Sequence, residues 1–556
     1  MGSIFEKYLE TTELTDPIKC VGRIIRVHGL LIESKGPQAI IGEICRIDVK
    51  SGKQIQAEVV GLSGDIVQLM VYGETAGIEI GSRVIASGSC LDIAVSPKLL
   101  GRVLNHLGRP IDGKGDIESP IRYPALANAP DPFRRPRIKD RISTGIRAID
   151  GLLAAGRGQR LGIFSGSGVG KSTLLGMIAR NTTADVNVVA LIGERGRELN
   201  EFIENDLGKE GLARSVIIVT PSNSPPLARL RGAYAATAIA EYFRDQGLNV
   251  MFLFDSLTRF ARAQREIGLA AGEPPATRGY PPSMFDSMPK LLERCCPTEK
   301  GTITGFYTIL VDGDDLDEPV SDTVRGILDG HIILSRHLAE RSHYPAIDVL
   351  ASISRLGNIV SGIETKKAAA IIRRLMADYA DTEDLINVGA YKQGSNPYID
   401  KAIEKREDIE KFLIQAVEEK TTLPETLKKL GQIAGIEIPE NEMNEFIPKT
   451  FQPAEIEEEE FEEEISPSPF PVFDSPADSN EIISESFLPE GNLSDHLISG
   501  QIRRQVPVEA GKAVNGSAVT VTAAAGMVLA SLVIRDVCLR FNGPQFSGSR
   551  SGERNG

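Results

Sequence analysis

Residues 165–172 read SGSGVGKS, and this stretch decides the fold class of a chain of 556 residues. An apolar run at 161–164 precedes it, and a helical pattern at 173–178 follows it. Strand, glycine-rich turn and helix form the context in which backbone N–H groups and a helix N-terminus hold phosphate groups. The usual motif begins with glycine, whereas Ser165 stands at that position here. The stretch predicts a phosphate loop in an α/β domain and the binding of a nucleoside triphosphate.

The residues of this loop divide between phosphate binding and metal binding. Its glycines let successive N–H groups converge on anionic oxygens. Lys171 is expected to reach the β- and γ-phosphates, and the Ser172 hydroxyl is expected to ligate Mg²⁺. The predicted nucleotide-binding residues of this stretch are Ser165, Gly166, Ser167, Gly168, Val169, Gly170, Lys171, Ser172 and Thr173.

Two acidic residues follow apolar runs that are typical of buried strands. The run at 186–192 leads to Glu194, and the run at 250–254 leads to Asp255. Carboxylates at the carboxyl ends of parallel strands lie where ligands bind in open α/β sheets. Glu194 is therefore a candidate to polarise an attacking water, and Asp255 a candidate to hold Mg²⁺ through water. A surface ion pair with the arginine that follows it is the alternative for Glu194.

Further stretches carry a resemblance to a known family. Residues 345–355 read PAIDVLASISR, which resembles the signature of the rotary ATP synthase α/β superfamily. The stretches at 101–115 and 156–172 are similar to the same superfamily. Within it, the resemblance is to the flagellum-specific ATPase of the bacterial type III export apparatus. That part of the resemblance is carried by residues 255–266, 301–315 and 387–400.

The resemblance implies roles for residues that the pattern alone leaves open. It implies that Glu194 and Lys171 are catalytic, and that Arg355 is an arginine finger that completes the site of a neighbouring subunit. It also implies that Tyr344 stacks on adenine, and Arg195 is a further candidate for contact with ATP. Without the resemblance, Tyr344 would be interpreted as a packed core tyrosine and Arg355 as part of a surface salt bridge.

Shifts in composition predict a multidomain chain. Residues 20–95 hold short apolar runs separated by glycines, which predicts a small closed β-barrel. Residues 96–365 alternate strand and helix patterns, which predicts an α/β domain with a mostly parallel sheet, and the resemblance implies that this domain is a RecA-like ATPase domain. Apolar positions recur at three and four along residues 366–440, which predicts a helical carboxyl-terminal domain. The barrel runs lie at 21–27, 40–49, 54–60, 66–72 and 83–86, and the sheet strands near 162, 188, 217, 252, 305 and 333.

The two ends of the chain fall outside this organisation. The resemblance implies that residues 1–19, with a small apolar helix face, dock a stator-like regulatory partner. Residues 441–500 carry sixteen acidic residues and one basic residue. Residues 441–556 are therefore predicted to form a disordered, low-complexity tail. Residues 513–534 are uncharged and just long enough to span a bilayer, but Asn515, Gly516, Ser517, Thr520, Thr522 and scattered alanines make them weakly apolar, which argues against a membrane span.

Composition excludes several classes of protein. The chain has no tryptophan and only 5% aromatic residues, so a nucleic-acid surface is not expected. Its six cysteines form no C-x-x-C pair, which argues against zinc ribbons and for a reducing compartment. The first ten residues are charged and lack an apolar signal core, so we expect a cytoplasmic protein.

The sequence therefore predicts a Mg²⁺-dependent ATP hydrolase that works as a homo-oligomer, expected to be a hexamer, with its sites at subunit interfaces. The resemblance implies export-gate membrane proteins and chaperone–substrate complexes as partners, at the cytoplasmic face of the inner membrane. Four alternatives stay open: an injectisome ATPase, a rotary ATP synthase catalytic subunit, a Rho-type RNA translocase and a noncatalytic nucleotide-binding ring subunit. The synthase subunit is disfavoured because residues 366–440 lack its acidic lever, and the translocase because aromatic residues are few. The noncatalytic subunit is disfavoured because it would typically lack Glu194.

Overall fold

The structure is a computed structural model, and it describes residues 21–311, 315 and 317–449. The predicted partner-docking segment at 1–19 and the chain from residue 450 onward lie outside the described residues. The described chain runs from a β-barrel through a mixed sheet flanked by helices to a group of carboxyl-terminal helices. This order confirms the predicted barrel, α/β domain and helical domain.

The barrel is closed by six strands in the order β1-β2-β5-β4-β3-β6. They are β1 (Val21–His28), β2 (Leu31–Lys35), β3 (Glu43–Asp48), β4 (Gln54–Ser63), β5 (Ile66–Val71) and β6 (Arg83–Cys90). Buried side chains such as Ile24, Ile47 and Leu69 fill its interior. Five strands overlap the predicted runs. The pattern does not predict β2, because only its first two residues are apolar.

An eight-stranded sheet forms the centre of the described chain, in the order β18-β17-β12-β16-β15-β13-β14-β8. Two small sheets pair β7 with β9 and β10 with β11. The strands after the barrel are β7 (Asp92–Ala94), β8 (Val103–Leu104), β9 (Arg122–Pro124), β10 (Arg141–Ile142), β11 (Ala155–Gly156), β12 (Arg160–Ser165), β13 (Val186–Glu194), β14 (Ser215–Pro221), β15 (Asn249–Asp255), β16 (Thr302–Leu310), β17 (Gly330–Leu334) and β18 (Ile347–Ser354).

The edge strand β18 reverses the direction of an otherwise parallel sheet. β17 is parallel to β12, and Ser165 pairs with Leu334 at the edge where the phosphate loop begins. β18 is antiparallel to β17, so that Leu334 pairs with Ile347 and Gly330 pairs with Ser354. The start of β18 therefore lies at the phosphate-loop edge, and its end lies at the opposite edge. The pattern predicts neither β18 nor β8, because polar residues interrupt β18 and β8 has only two residues.

Fourteen α-helices and one π-helical turn lie between and after the strands of the described chain. They are α1 (Arg147–Leu152), α2 (Lys171–Asn181), α3 (Gly196–Glu201), a π-helical turn (Phe202–Leu207), α4 (Gly208–Ala213), α5 (Pro226–Asp245), α6 (Leu257–Ala270), α7 (Pro282–Leu292), α8 (Pro319–Ile327), α9 (Arg336–Glu340), α10 (Gly357–Val360), α11 (Ile363–Ala380), α12 (Glu383–Asn387), α13 (Pro397–Leu413) and α14 (Leu423–Ala434).

Two hydrophobic cores cover the two faces of the sheet. Val188 and Phe252 belong to the core that includes α5, α6 and α7. The next residues along their strands, Val189 and Leu253, belong to the core shared with α2 and the carboxyl-terminal helices. β13 and β15 are buried along their whole length. Strands covered on both faces are near-continuous apolar runs, which is why the sequence predicts them.

The packed chain extends beyond the last helix. The Glu442 carboxylate accepts hydrogen bonds from Glu364 N at 3.0 Å and from Thr365 N and Oγ1, each at 2.8 Å. It thereby caps the N-terminus of α11. The Phe446 ring lies 4.0 Å from the Arg157 guanidinium carbon. Residues 441–449 are thus part of the folded chain, although the composition shift assigns them to the tail.

We expect a chain that ends at residue 449 to unfold at the temperature of the full chain, and a chain that ends at residue 440 to unfold at a lower temperature. Loss of Glu442 leaves N–H groups of α11 without their cap, which costs about 1 kcal/mol. Thermal unfolding of the 449-residue chain carrying Glu442→Ala measures the cap, with Glu440→Ala as an exposed control. Equal unfolding temperatures for the two truncated chains would contradict the packed role of residues 441–449.

No helix within residues 21–311, 315 and 317–449 combines the length and apolar composition that a membrane crossing requires.

Candidate active site

The phosphate loop connects β12 to helix α2. β12 ends at Ser165, and α2 begins at Lys171. Gly168 and Gly170 have φ angles of 79° and 90°, in the left-handed region that glycine enters without steric penalty. Gly170 is the N-cap of α2, and no side chain caps this helix. The first N–H groups of α2 and the positive end of its dipole therefore face the position where an anion would bind.

Lys171 lies between two carboxylates. Its Nζ is 3.3 Å from Glu194 Oε1 and also pairs with Asp255 Oδ1. These acids end the neighbouring parallel strands β13 and β15. The structure thus brings together Lys171, Glu194 and Asp255, three of the residues that the sequence predicts for the site. Glu194 is only 5% exposed, so the alternative of a surface ion pair does not describe it.

Arg259, which the sequence analysis does not single out, holds the second oxygen of Glu194. Its Nη2 is 3.0 Å from Glu194 Oε2, and its Nη1 donates to the carbonyl of Gly193. Gly193 has a φ of 74°, and a Cβ on it would lie 2.8 Å from Arg259 Cδ. Arg259 stands four residues after Asp255, in the first turn of α6. That position gives no sign of its partner, because Glu194 lies on a different strand, β13.

The charge state of Glu194 follows from its surroundings. Burial and the neighbouring Asp255 carboxylate raise the pKa of Glu194 to about 7, while Lys171 and Arg259 act in the opposite direction. A carboxyl group that titrates near neutral pH is suited to take a proton from water or to orient it. The position of Glu194 beside the phosphate-loop lysine therefore fits the activation of a water molecule.

Asp255 and Ser172 are the residues that could hold a metal ion. Asp255 is buried, and Thr308 Oγ1 donates a hydrogen bond to its Oδ1 at 2.8 Å, which fixes the carboxylate. Ser172 is the second residue of α2. The part of the chain that the structure describes holds no group of three or more His, Cys, Asp and Glu side chains suited to a metal. At a metal held by Asp255 and Ser172, phosphate and water oxygens would complete the ligand set, as Mg²⁺ prefers.

Tyr344 lies beside the phosphate loop. A Cβ on Gly170 would be 3.5 Å from two carbons of the Tyr344 ring. Tyr344 directly precedes the segment that starts β18 at the phosphate-loop edge, and it is 42% exposed. An open ring face next to the loop is compatible with stacking on a base, whereas a packed core tyrosine would be buried.

The other two arginines of the predicted site lie elsewhere. Arg195 is exposed and its Nη1 is 3.9 Å from Glu198 Oε1, so its side chain does not join the cluster around Lys171. Arg355 follows the end of β18, is exposed, and donates from Nη2 to the carbonyl of Arg325 at 3.3 Å. It therefore lies at the opposite edge of the sheet from Lys171. The two edges are separated by the length of β17, about 13 Å at the usual rise per residue.

The fold and the site define the class of the protein. A phosphate loop at the carboxyl edge of a parallel sheet and a lysine held between two strand-end carboxylates are typical of the phosphate-loop nucleoside triphosphatases.

Comparisons with known proteins give the family. The nucleotide-binding domain of the ATP synthase alpha/beta family matches residues 145–354, and the β-barrel domain of the same family matches residues 24–88. The C-terminal domain of the type III secretion ATPase EscN matches residues 363–432. This chain belongs to the ATP synthase α/β family, in its branch of flagellum-specific and type III secretion ATPases, and it is an ATP hydrolase.

Individual relatives are similar over about three quarters of the chain. The flagellum-specific ATP synthase of Treponema pallidum is 58% identical over 433 residues, which are 78% of this chain and 97% of the relative. That of Bacillus subtilis is 53% identical over 437 residues, 78% of this chain and 99% of the relative. The type 3 secretion system ATPase of Xanthomonas euvesicatoria is 50% identical over 413 residues, 74% of this chain and 93% of the relative.

Solved structures are similar over a comparable share of the chain. The assembled ATPase EscN of the enteropathogenic E. coli type III secretion system has a TM-score of 0.71 and 44% identity. The matched region is 74% of this chain and 100% of the EscN chain. EscN in complex with its central stalk EscO has a TM-score of 0.70, with the same identity and coverage.

Proposed function

We propose that this chain is the Mg²⁺-dependent ATPase of a bacterial flagellar type III export apparatus, and that it hydrolyses ATP at the interfaces of a homo-oligomeric ring. The observation that carries the proposal is the separation of Arg355 from the cluster of Lys171, Glu194 and Asp255. One subunit holds a phosphate loop and a water-activating carboxylate at one sheet edge and an exposed arginine at the other.

Within one site, three features of this chain act on ATP. The N–H groups of α2 and the ammonium of Lys171 bind the phosphate oxygens and balance their charge. When the phosphates draw Lys171 away, the Glu194 carboxylate stays fixed through Arg259. Glu194 then orients the attacking water and accepts its proton, and the adenine ring stacks on the open face of Tyr344.

The residues present fit a magnesium ion. Asp255 offers a carboxylate whose Oδ1 is oriented by Thr308, and Ser172 offers a hydroxyl next to the phosphate-binding lysine. Asp255 would hold the ion through water and Ser172 would ligate it directly. A bound Mg²⁺ would neutralise part of the negative charge of the phosphates.

The neighbouring subunit completes the site. Arg355 lies about 13 Å along the strand direction from its own phosphate-loop edge, so it is placed to serve another subunit. A head-to-tail contact between identical subunits joins one edge to the other and closes into a ring. EscN, which is similar over its full length, forms an assembled ATPase. We propose a hexamer in which each Arg355 stabilises the charge that develops in the neighbouring site.

The setting of this ring is taken from the relatives. Three relatives at 50% to 58% identity are flagellum-specific ATP synthases, and EscN binds a central stalk, EscO. We propose a cytoplasmic ring at the inner face of the membrane, with a stalk- or stator-like regulator, export-gate membrane proteins and chaperone–substrate complexes as partners, and without nucleic acid. Residues 1–19 are the segment proposed to dock the regulator.

The alternative functions differ in their support. An injectisome ATPase is favoured by the relatives from type 3 secretion systems at about 50% identity. A noncatalytic ring subunit is disfavoured by the contact of Glu194 with Lys171. The family matches include the EscN-type C-terminal domain, which argues against the catalytic subunit of a rotary synthase.

Expression in a flagellated bacterium that lacks its own flagellar ATPase is expected to restore export of flagellar proteins and swimming. The Lys171→Ala variant, expressed at the same level, should restore neither, because the phosphates lose their cation. Export is measured as flagellar protein in the culture medium. If the chain hydrolyses ATP but restores secretion only in a strain that lacks its injectisome ATPase, the injectisome function replaces the flagellar one.

A further inference from the structure

The position of the Tyr344 ring needs a support other than burial. The ring borders the phosphate loop at Gly170, yet 42% of the residue is exposed. A fixed backbone helps to hold such a partly exposed ring in position. The carbonyl oxygen of Tyr344 accepts a hydrogen bond from the backbone N–H of Gln415 at 2.9 Å. Gln415 lies just after α13, which ends at Leu413.

The side chain of Gln415 is buried and uses its hydrogen-bonding groups fully. Oε1 accepts from Arg147 N at 2.9 Å, and Nε2 donates to the carbonyls of Gly145 at 2.8 Å and Glu419 at 3.0 Å. Gln415 is 2% exposed. Only one orientation of the amide places its oxygen next to the N–H of Arg147 and its nitrogen next to the two carbonyls. The partners therefore determine the conformation of the side chain.

These partners connect Gln415 to the phosphate-loop helix. Gly145 lies in the turn that leads into α1, and Arg147 is the first residue of α1. A Cβ on Gly145 would lie 2.3 Å from Cβ of Asn181, the last residue of α2. The backbone of Gln415 is therefore bonded to Tyr344. Its side chain is bonded to a turn that contacts α2.

Two arginines fix the segment 412–419 around Gln415. The Arg147 guanidinium donates to the carbonyls of Phe412, at 2.7 Å, and Ile414. Arg180 of α2 donates from Nη2 to the carbonyl of Val417 at 2.7 Å. The segment is thus held on both sides of Gln415, once by the start of α1 and once by the phosphate-loop helix itself.

We infer that Gln415 is a positioning residue that sets the distance between the base-stacking ring of Tyr344 and the phosphate loop. The inference rests on the proposed function, because it assumes that the base of ATP stacks on Tyr344. Gln415 acts on the base end of the nucleotide and leaves Lys171 and Glu194 in place. Its loss weakens the binding of nucleotides but not of a triphosphate without a base.

The test compares Gln415→Leu and Gln415→Glu with the unchanged chain. Glutamate keeps the shape of the side chain, but a carboxylate cannot donate to the carbonyls of Gly145 and Glu419. We expect KM for ATP to rise about tenfold, the effect of one or two lost buried hydrogen bonds. We expect kcat to stay within about twofold. Inorganic tripolyphosphate with Mg²⁺, used as a competitive inhibitor, should keep its inhibition constant.

A double variant separates positioning from general loss of structure. If Gln415 acts through Tyr344, Gln415→Leu combined with Tyr344→Ala should raise KM no further than the larger single effect. Gln432→Leu, at an exposed glutamine of α14, is the matched control. An unchanged KM for ATP, an equal loss of tripolyphosphate binding, or additive effects would each overturn the inference. Absence of ATP turnover in the unchanged chain would instead contradict the proposed function.

Discussion

The Glu194→Gln variant is expected to bind ATP as well as the unchanged chain and to hydrolyse it at least ~100-fold more slowly. Glutamine keeps the size of the side chain, but it cannot accept a proton from water. The phosphate loop and Lys171 are unaltered, so the binding of the triphosphate is preserved. Phosphate release at saturating ATP measures the rate, and equilibrium titration with a fluorescent ATP analogue measures binding.

The pH dependence of the unchanged chain gives an independent check on the same residue. With the pKa of Glu194 raised to about 7, protonation below that pH removes the proton acceptor. The value of kcat/KM should therefore fall with decreasing pH through about 7, and Glu194→Gln should lack this step. Glu201→Gln, at an exposed position of α3, serves as control. If Glu194→Gln turns over within about twofold of the unchanged chain, Glu194 does not activate the water.

Mixing two inactive variants is expected to restore activity. Arg355→Ala should abolish turnover while its own phosphate loop still binds ATP, because the arginine serves the adjacent site. Lys171→Ala should be inactive but keeps its Arg355. In mixed rings, some interfaces join an intact loop to an intact arginine, so partial turnover should return. Activity should rise steeply with protein concentration, since the complete site exists only in the assembled ring.

The matched control for this experiment uses two changes at the same edge of the sheet. Lys171→Ala mixed with Glu194→Gln gives no interface with an intact loop and an intact carboxylate, so this mixture should stay inactive. Mass measurement confirms that mixed rings form in both cases. Activity that fails to return in the Lys171→Ala and Arg355→Ala mixture, or an active monomer of Arg355→Ala, would contradict action of Arg355 on its neighbour.

The sequence predicts the residues that lie on strongly patterned elements. β13 and β15 are buried on both faces, so their apolar runs are continuous and the acids that follow them, Glu194 and Asp255, could be located. The phosphate loop could be located because its glycines, lysine and helix are adjacent in the chain. In each case the information is local.

The residues that the sequence misses depend on contacts between distant parts of the chain. Arg259 is recognisable as a partner of Glu194 only once β13 and α6 are adjacent. Gln415 bonds to residues that are about 270 positions earlier in the chain. Glu442 lies in a stretch whose acidic composition resembles the tail, yet its carboxylate is positioned by the N-terminus of α11. No sequence periodicity marks such residues, because the role of each depends on a specific contact and not on a side-chain pattern that repeats along a helix or strand.

The antiparallel direction of β18 also bears on how a cell would conserve its nucleotide pool. A parallel strand at this place would return its end to the phosphate-loop edge and deliver Arg355 to the site of its own subunit. A newly synthesised subunit could then consume ATP before reaching its partners. With β18 reversed, and with Arg355 acting on a neighbour as proposed above, we expect a free subunit to be idle and ATP to be consumed only where rings assemble.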